Sequence, residues 1–197
     1  MSVLPLRDER GRIPRDAYYT PPAVAQTLVD ALPECMPEVI LEPSVGGGAF
    51  ARALGRRWPE AELYGCDVDS GAMGLGEVDR AVIGDFLTLK LRGQYDLIAG
   101  NPPYDAAELH VHRALDLVCP GGRVAFLLHL GFAAGKGRRQ RLYPRPGATL
   151  ETLHVLDRRP KFLGGASSAP RDYAWFVWRR LLPGEEPESP RLAWVTL

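Results

Sequence analysis

Apolar positions along this chain fall into short blocks, each closed by a polar or small residue, and helical patterns lie between many of the blocks. "TPPAVAQTLVDALP" carries Val24, Leu28 and Leu32 on one face, with Thr20 placed to cap the helix and proline tolerated in its first turn. "EVILEP" follows as a first strand ending at Glu42, and "GAFARALGRRW" is the helix behind it. "AELYGCDVD" is a second strand, "VDRAVIGDFLTL" a short third one finishing near Asp85, and "YDLIAGNPPY" a fourth. "AELHVHRALDLVCPGG" is predicted as a helix closed by its glycines, and "RVAFLLHL" as the fifth strand. Strands alternating with helices predict βαβ units and a mostly parallel sheet covered on both faces.

The alternation stops after that. Residues 131–150 are rich in glycine and arginine without periodicity, which in a compact domain marks a functional or disordered connection. "TLHVLD" and "YAWFVWRR" read as two more strands split by the loop "RRPKFLGGASSAPRD", and they predict a terminal β-hairpin at the sheet edge. Tyr173, Trp175, Phe176 and Trp178 are most simply strand core. The expected organisation is an irregular arm over 1–15, a single domain over 16–182, and an acidic, proline-rich tail with a terminal strand over 183–197.

A length of 197 residues suits one domain. No apolar run is long enough to cross a membrane and no signal segment opens the chain, so a cytoplasmic protein without a membrane partner is expected. Cys35, Cys66 and Cys119 lie far apart in apolar surroundings and read as buried reduced thiols. His110, His112, His129 and His154 make no zinc pattern, and no metal site is expected. The formal net charge is zero, but it is unevenly spread. Residues 1–100 carry 10 basic and 15 acidic groups, a net −5, against 14 and 9, a net +5, in residues 101–197. Lys136, Arg138, Arg139, Arg141 and Arg145, and then Arg158, Arg159 and Lys161, make two basic runs suited to a polyanion, or else solvated loops.

Candidate chemistry begins at "LEPSVGGGAFA". Gly46, Gly48 and Ala51 match the glycine spacing of a dinucleotide fingerprint, and Asp67 ends the next strand. That pattern alone fits several nucleoside cofactors. Glu42 on the lip of the loop discriminates, because a carboxylate repels a pyrophosphate and favours a ligand with positive charge. S-adenosyl-L-methionine (AdoMet) carries a sulfonium and an ammonium and no phosphate. Asp67 is placed to accept from ribose hydroxyls, Val68 to lie on an adenine face, Asp85 to accept from the adenine amino group and Phe86 to pack on the ring. A single Asp would read more simply as a helix cap, and it is three acids and a glycine loop at matching positions that point to a cofactor.

The fourth strand then runs into Asn101-Pro102-Pro103-Tyr104. With "YYTPPAVAQTLVDAL", "LEPSVGGGAF", "YGCDVD" and "GDFL" before it, this segment resembles the AdoMet-dependent amino-methyltransferases. The resemblance is closest to the small bacterial and phage DNA N6-adenine methyltransferases. It covers residues 18–130 firmly and 150–180 loosely. It implies a Rossmann-like class I AdoMet-dependent methyltransferase fold, α/β, with a mostly parallel seven-stranded sheet and a C-terminal antiparallel hairpin. It also implies a cofactor site including Tyr19, Thr20, Glu42, Pro43, Gly46, Gly48, Asp67, Val68, Asp85, Phe86 and Asn101. The chemistry explains the residue types. An exocyclic amino nitrogen is a poor nucleophile until its hydrogens are held out of the ring plane. The Asn101 side-chain oxygen and the Pro102 carbonyl would hold them, kept in place by Pro102 and Pro103. Tyr104 would stack on the base.

For duplex DNA the resemblance implies base flipping, with Phe162 as a second stacking face because the related enzymes place an aromatic in that loop. Ordinary hairpin packing is the alternative for Phe162. The basic runs would hold phosphates. No stretch after residue 180 suits a separate target-recognition domain, so readout is expected from loops 131–150 and 157–172 or from a partner. Ribosomal RNA and protein glutamine are the rival substrates, and a non-catalytic nucleic-acid-binding module is the rival class.

Overall fold

The computed structural model describes residues 19–91, 94–142, 145–162 and 171–197, less the side chains of Arg139, Gln140 and Leu142. The expected arm over 1–15 lies outside them. Four helices, α1 (Pro22–Asp30), α2 (Ala49–Arg57), α3 (Ala107–Leu117) and α4 (Lys136–Leu142), accompany one sheet. Its strands are β1 (Val39–Glu42), β2 (Glu62–Asp67), β3 (Arg80–Ile83), β4 (Tyr95–Gly100), β5 (Val118–His129), β6 (Ala148–Leu156), β7 (Tyr173–Arg180) and β8 (Arg191–Val195). Their order is β3-β2-β1-β4-β5-β7-β6-β8. The pairings from β3 to β5 are parallel, and β7 runs antiparallel to both β5 and β6.

This is the expected α/β architecture, with one strand more than expected. β6 and β7 do pair as antiparallel neighbours, but they do not form the edge. β7 inserts between β5 and β6, and β8 lies parallel on the far side of β6. The run "YAWFVW" is apolar at every position because both faces of β7 are covered, as in the interior of a two-sided sheet. Tyr173, Trp175 and Val177 face one core with α1 and α2, where Trp175 stacks on Phe50 at 5.3 Å. Ala174, Phe176 and Trp178 face the other core, with Val111 and Leu115 of α3.

Three local expectations fail for identifiable reasons. Thr20 does not cap α1. The cap position is Pro21, the fixed φ of proline starts the helix, and the Thr20 hydroxyl is engaged elsewhere. The glycines of "CPGG" do not close α3, which passes at Val118 directly into β5. They sit instead in a register shift of β5 against β4, where Tyr95 pairs with Val118 but Leu97 pairs with Arg123. A Cβ at Gly122 would lie 2.8 Å from the Asp96 carbonyl oxygen, so only glycine permits that approach. Residues 131–150 hold the short α4 and the start of β6, which are too brief to show a period in sequence.

One topological feature positions the site. From β1 the chain steps outward through β2 and β3, then returns to place β4 on the opposite side of β1. The crossovers therefore diverge between β1 and β4. Ligands of open α/β sheets bind at such a switch point, outside the carboxyl ends of the strands.

Candidate cofactor and catalytic site

Glu42 is the last residue of β1, and Asn101 directly follows β4. Both line one open pocket, together with Tyr19, Thr20, Gly46 and Gly47. The glycine loop forms its floor. Gly46 (φ 45°) and Gly48 (φ 75°) take left-handed backbone conformations, and Gly48 occupies the cap position of α2. The Tyr19 ring covers the loop so closely that a Cβ on Gly46 would lie 3.3 Å from it.

Asp67 at the end of β2 holds the loop from the other side. Its carboxylate accepts the Gly46 N–H and the Asp69 N–H, each at 2.9 Å. The Asn101 side-chain N–H donates to the Thr20 hydroxyl at 3.2 Å, fixing the roll of the amide. This bond joins the segment before α1 to the end of β4. Pro102 and Pro43 are buried, Pro103 is extended (φ −54°, ψ 128°), and Tyr104 opens a 3-10 turn over Tyr104–Ala106.

Glu42 is 2% exposed. It accepts a hydrogen bond from the Ala51 N–H in the first turn of α2, while its Oε2 has no partner among the described residues. Burial pushes its carboxyl well above the usual carboxylate range, and nearby Asp67 adds to this. A raised folded pKa gives stability that is full below the unfolded pKa and is lost as pH rises through the folded one. The ligand-free Glu42→Gln protein is therefore expected to melt higher than the wild type at neutral pH, with the gap closing toward pH 4. Thermal denaturation across pH measures this, and a gap that stays constant or widens on acidification would refute it.

Other candidates settle differently. Asp85 lies beyond β3 and receives the Leu87 N–H at 2.9 Å, the turn-capping alternative for a strand-end acid. Phe86 is in the core, stacked on His110 at 5.4 Å. Val68 is half exposed beside Asp67. Phe162 is buried and set edge-on against Tyr173 at 5.2 Å, and the Tyr173 ring also contacts Tyr104 at 5.6 Å.

His129 is a residue the sequence reading missed. Its ring centroid is 4.3 Å from that of Tyr104, and its Nε2 shares a hydrogen bond with the Tyr173 hydroxyl at 3.0 Å. His129 and Tyr173 are register partners of β5 and β7. The available signal was position, since His129 ends the fifth strand just as Asn101 follows the fourth. Burial and Arg171 lower its pKa and favour the neutral ring.

The basic runs have acidic neighbours in space that they lack in sequence. Glu108 of α3 pairs with Arg141 at 2.5 Å and Arg138 at 3.7 Å, and Asp116 pairs with Arg145. Arg159 pairs with Asp172 at 2.8 Å and Arg158 with Asp157 at 3.4 Å. Lys136 and Lys161 are exposed, and the Arg139 side chain lies outside the description. Several of these arginines are thus already ion-paired across the fold. Of the three thiols, only Cys66 is fully buried, where burial and nearby carboxylates push it up to about 12.

The chain has the fold of the class I AdoMet-dependent methyltransferases. A Listeria monocytogenes protein assigned to that class shares it with a TM-score of 0.68 at 16% identity, over 90% of this chain and 65% of that one. The type I restriction-modification methyltransferase subunit of Streptococcus thermophilus gives 0.66 at 14% identity, over 83% and 45%. The 23S rRNA methyltransferase ErmE gives 0.63 at 18%, over 83% and 69%. In sequence, the chain is similar to type II methyltransferases. It is 29% identical over 90 residues to M.CvrRI of Paramecium bursaria Chlorella virus XZ-6E, covering 44% of this chain and 24% of that protein. It is 30% identical over 98 residues to M.TthHB8I of Thermus thermophilus, covering 47% and 23%. The match thus spans about a quarter of those relatives' length. No protein-family model matches the chain.

Proposed function

We propose that this chain transfers the methyl group of AdoMet to the N6 amino group of adenine in DNA. The observation that carries the reading is the switch-point pocket itself. A buried carboxylate, Glu42, and Asn101 share one cavity, and Pro102, Pro103 and Tyr104 leave it as a rigid segment. The residues present suit a cationic cofactor: Glu42 lines the pocket and has a buried oxygen without a partner, and a side chain at Gly46 would be strained and crowd Tyr19. Glu42, Tyr19, Thr20 and the backbone of Gly46 and Gly48 would hold AdoMet, with Asp67 toward the ribose and Val68 and Asp85 toward the adenine. Bound there, AdoMet would supply an electrophilic methyl group.

The chain's own part is to prepare the amine. The Asn101 side-chain oxygen and the Pro102 carbonyl accept its two hydrogens and localise the nitrogen lone pair, and the methylated nitrogen then sheds its extra proton readily. Tyr104 stacks on the flipped base with His129 and Tyr173 packed against it. Phe162, buried and edge-on to Tyr173, belongs to the same aromatic group and is the candidate for the second stacking face. Lys136 and Lys161, with the arginines exchanging their carboxylate partners for phosphates, give the DNA backbone contacts.

The similarity to type II methyltransferases supports DNA over other polymers. Residues 16–182 act as one catalytic domain in this reading. Among the described residues no helix is long and apolar enough to cross a membrane, and a cytoplasmic location fits a DNA substrate. Incubation with methyl-labelled AdoMet and a mixture of unmethylated duplex DNA, ribosomal RNA and protein tests the reading. Label in DNA supports it. Label confined to RNA or protein reassigns the substrate, and no transfer favours a binding module.

A further inference from the structure

Two segments share one pattern, a polar residue followed by two prolines: Thr20-Pro21-Pro22 and Asn101-Pro102-Pro103. Their polar residues, 81 positions apart, meet in the wall of the pocket, where the Asn101 Nδ2 donates to the Thr20 hydroxyl at 3.2 Å. A residue before proline is held to extended geometry, and the proline itself has a fixed φ. Pro21 (φ −60°, ψ 138°) and Pro103 (φ −54°, ψ 128°) keep both segments extended up to the turns that follow. Each segment is also anchored. The Pro21 carbonyl accepts the Ala25 N–H at 3.1 Å, and α1 buries Ala25, Leu28 and Val29 in the core it shares with α2. Asn101 continues β4, which is paired with β1 on one side and β5 on the other. Both ends of the bond are thus mounted on stiff backbone.

Thr20 is 6% exposed, and helix capping does not account for its buried hydroxyl, because the cap position of α1 is Pro21. Its β-branched side chain restricts the direction of that hydroxyl. We propose that Thr20 is a positioning residue for methyl transfer, whose hydroxyl holds the Asn101 side chain in the roll that presents its oxygen to the target amine. This rests on the functional reading above and adds to it a residue on the cofactor side that sets the geometry of the substrate side. The last torsion of an asparagine has two broad wells that exchange the places of its oxygen and nitrogen. Oxygen and nitrogen lie on opposite sides of Cγ, so a donor end engaged by Thr20 turns the acceptor end away from it. The opposite roll would offer N–H donors to an amine whose hydrogens need an acceptor. A hydroxyl that accepts from Nδ2 keeps its own proton to donate, so Thr20 serves Asn101 while still lining the cofactor pocket. The Tyr19 ring beside it lies over Gly46 and Gly47, and one dipeptide therefore touches both the glycine loop and the amide.

Single-turnover methyl transfer to unmethylated duplex DNA at saturating AdoMet, with AdoMet titration of the same full-length proteins, tests this. Thr20→Val keeps the shape but removes the acceptor, and its rate should fall by about 10-fold to 10²-fold. Thr20→Ser restores the acceptor and should stay within about threefold of the wild type. In an Asn101→Ala background, Thr20→Val should cost less than about twofold more, because the side chain it positions is gone. The Asn101 side-chain amide signals in a proton–nitrogen correlation spectrum of the ligand-free protein, identified by their loss in Asn101→Ala, give a readout independent of activity. They should move in Thr20→Val and keep their place in Thr20→Ser. A Thr20→Val rate equal to or above that of the wild type would overturn the inference, since a hydroxyl donating to the amide oxygen would compete with the substrate instead. Equal fold losses from Thr20→Val in the wild-type and Asn101→Ala backgrounds, or amide signals that do not move, would also overturn it while leaving the functional reading standing. Absence of wild-type transfer to DNA, ribosomal RNA or protein would overturn the functional reading and the inference with it.

Discussion

Asn101→Ala is expected to lower the rate of methyl transfer by about 10²–10³-fold or more, while AdoMet affinity changes by less than about tenfold. Asn101 sits just past the carboxyl end of β4, and its amide roll is set by the 3.2 Å bond from its Nδ2 to Thr20. Alanine removes an acceptor aimed at charge that develops on the amine only during reaction, so the loss falls on the chemical step. The cofactor side of the pocket, formed by Glu42, Tyr19 and the glycines, is left in place. Asn101→Asp keeps an acceptor but loses the donor to Thr20, and should fall between the two. Single-turnover rates separate these effects from binding. Equal rates for Asn101→Ala and wild type would remove Asn101 from the chemistry.

Gly74→Ala should be the most damaging of the small substitutions outside the core. Gly74 belongs to the 3-10 turn Met73–Glu77 after β2, and its N–H donates to the Gly46 carbonyl at 2.9 Å. An added Cβ would lie 2.6 Å from the Val45 carbonyl oxygen and 2.8 Å from the Gly48 backbone. These are main-chain atoms of the glycine loop, and they can move only by taking the loop with them. The expected cost is about 1–3 kcal/mol of stability, several degrees in melting temperature, and a loss of cofactor affinity of at least about tenfold. Gly76, in the same turn, has open space at its Cβ. Gly76→Ala is therefore the control and should be near neutral in both measurements. Equal behaviour of the two variants in melting and cofactor titration would contradict the packing argument.

What the sequence disclosed divides along physical lines. β1, β2 and β4 were legible because each is a compact apolar run ending in a polar residue at the carboxyl edge, and those ends carry the candidate site. The crossing of β7 between β5 and β6 was not legible, since strand order depends on which edges meet in space and "YAWFVWRR" looks the same in either place. α4 was invisible because seven residues of mostly basic character carry no apolar period. The ion pairs of the basic runs were hidden for a related reason. Arg138, Arg141 and Arg145 have no acidic neighbours along the chain, yet α3 presents Glu108 and Asp116 to them across the fold. Gly74 and His129 were missed because their roles are contacts: a close approach to Gly48 in one case, a ring against Tyr104 in the other. Glu42 and Asn101, which share one pocket, stood out in the sequence because their chemistry is unusual for their position. An acid and an amide at the ends of two buried strands need an explanation that packing does not give.

The most direct test of amino-directed methyl transfer is nucleoside mass spectrometry of unmethylated duplex DNA after incubation with the protein and AdoMet, run beside Asn101→Ala. The expected result is N6-methyladenine with the wild type and a loss of at least about 10²-fold with the variant. Methylation appearing on any other nucleoside position, or equally with both proteins, would contradict the assignment of Asn101-Pro102-Pro103-Tyr104 as the centre that prepares an adenine amine.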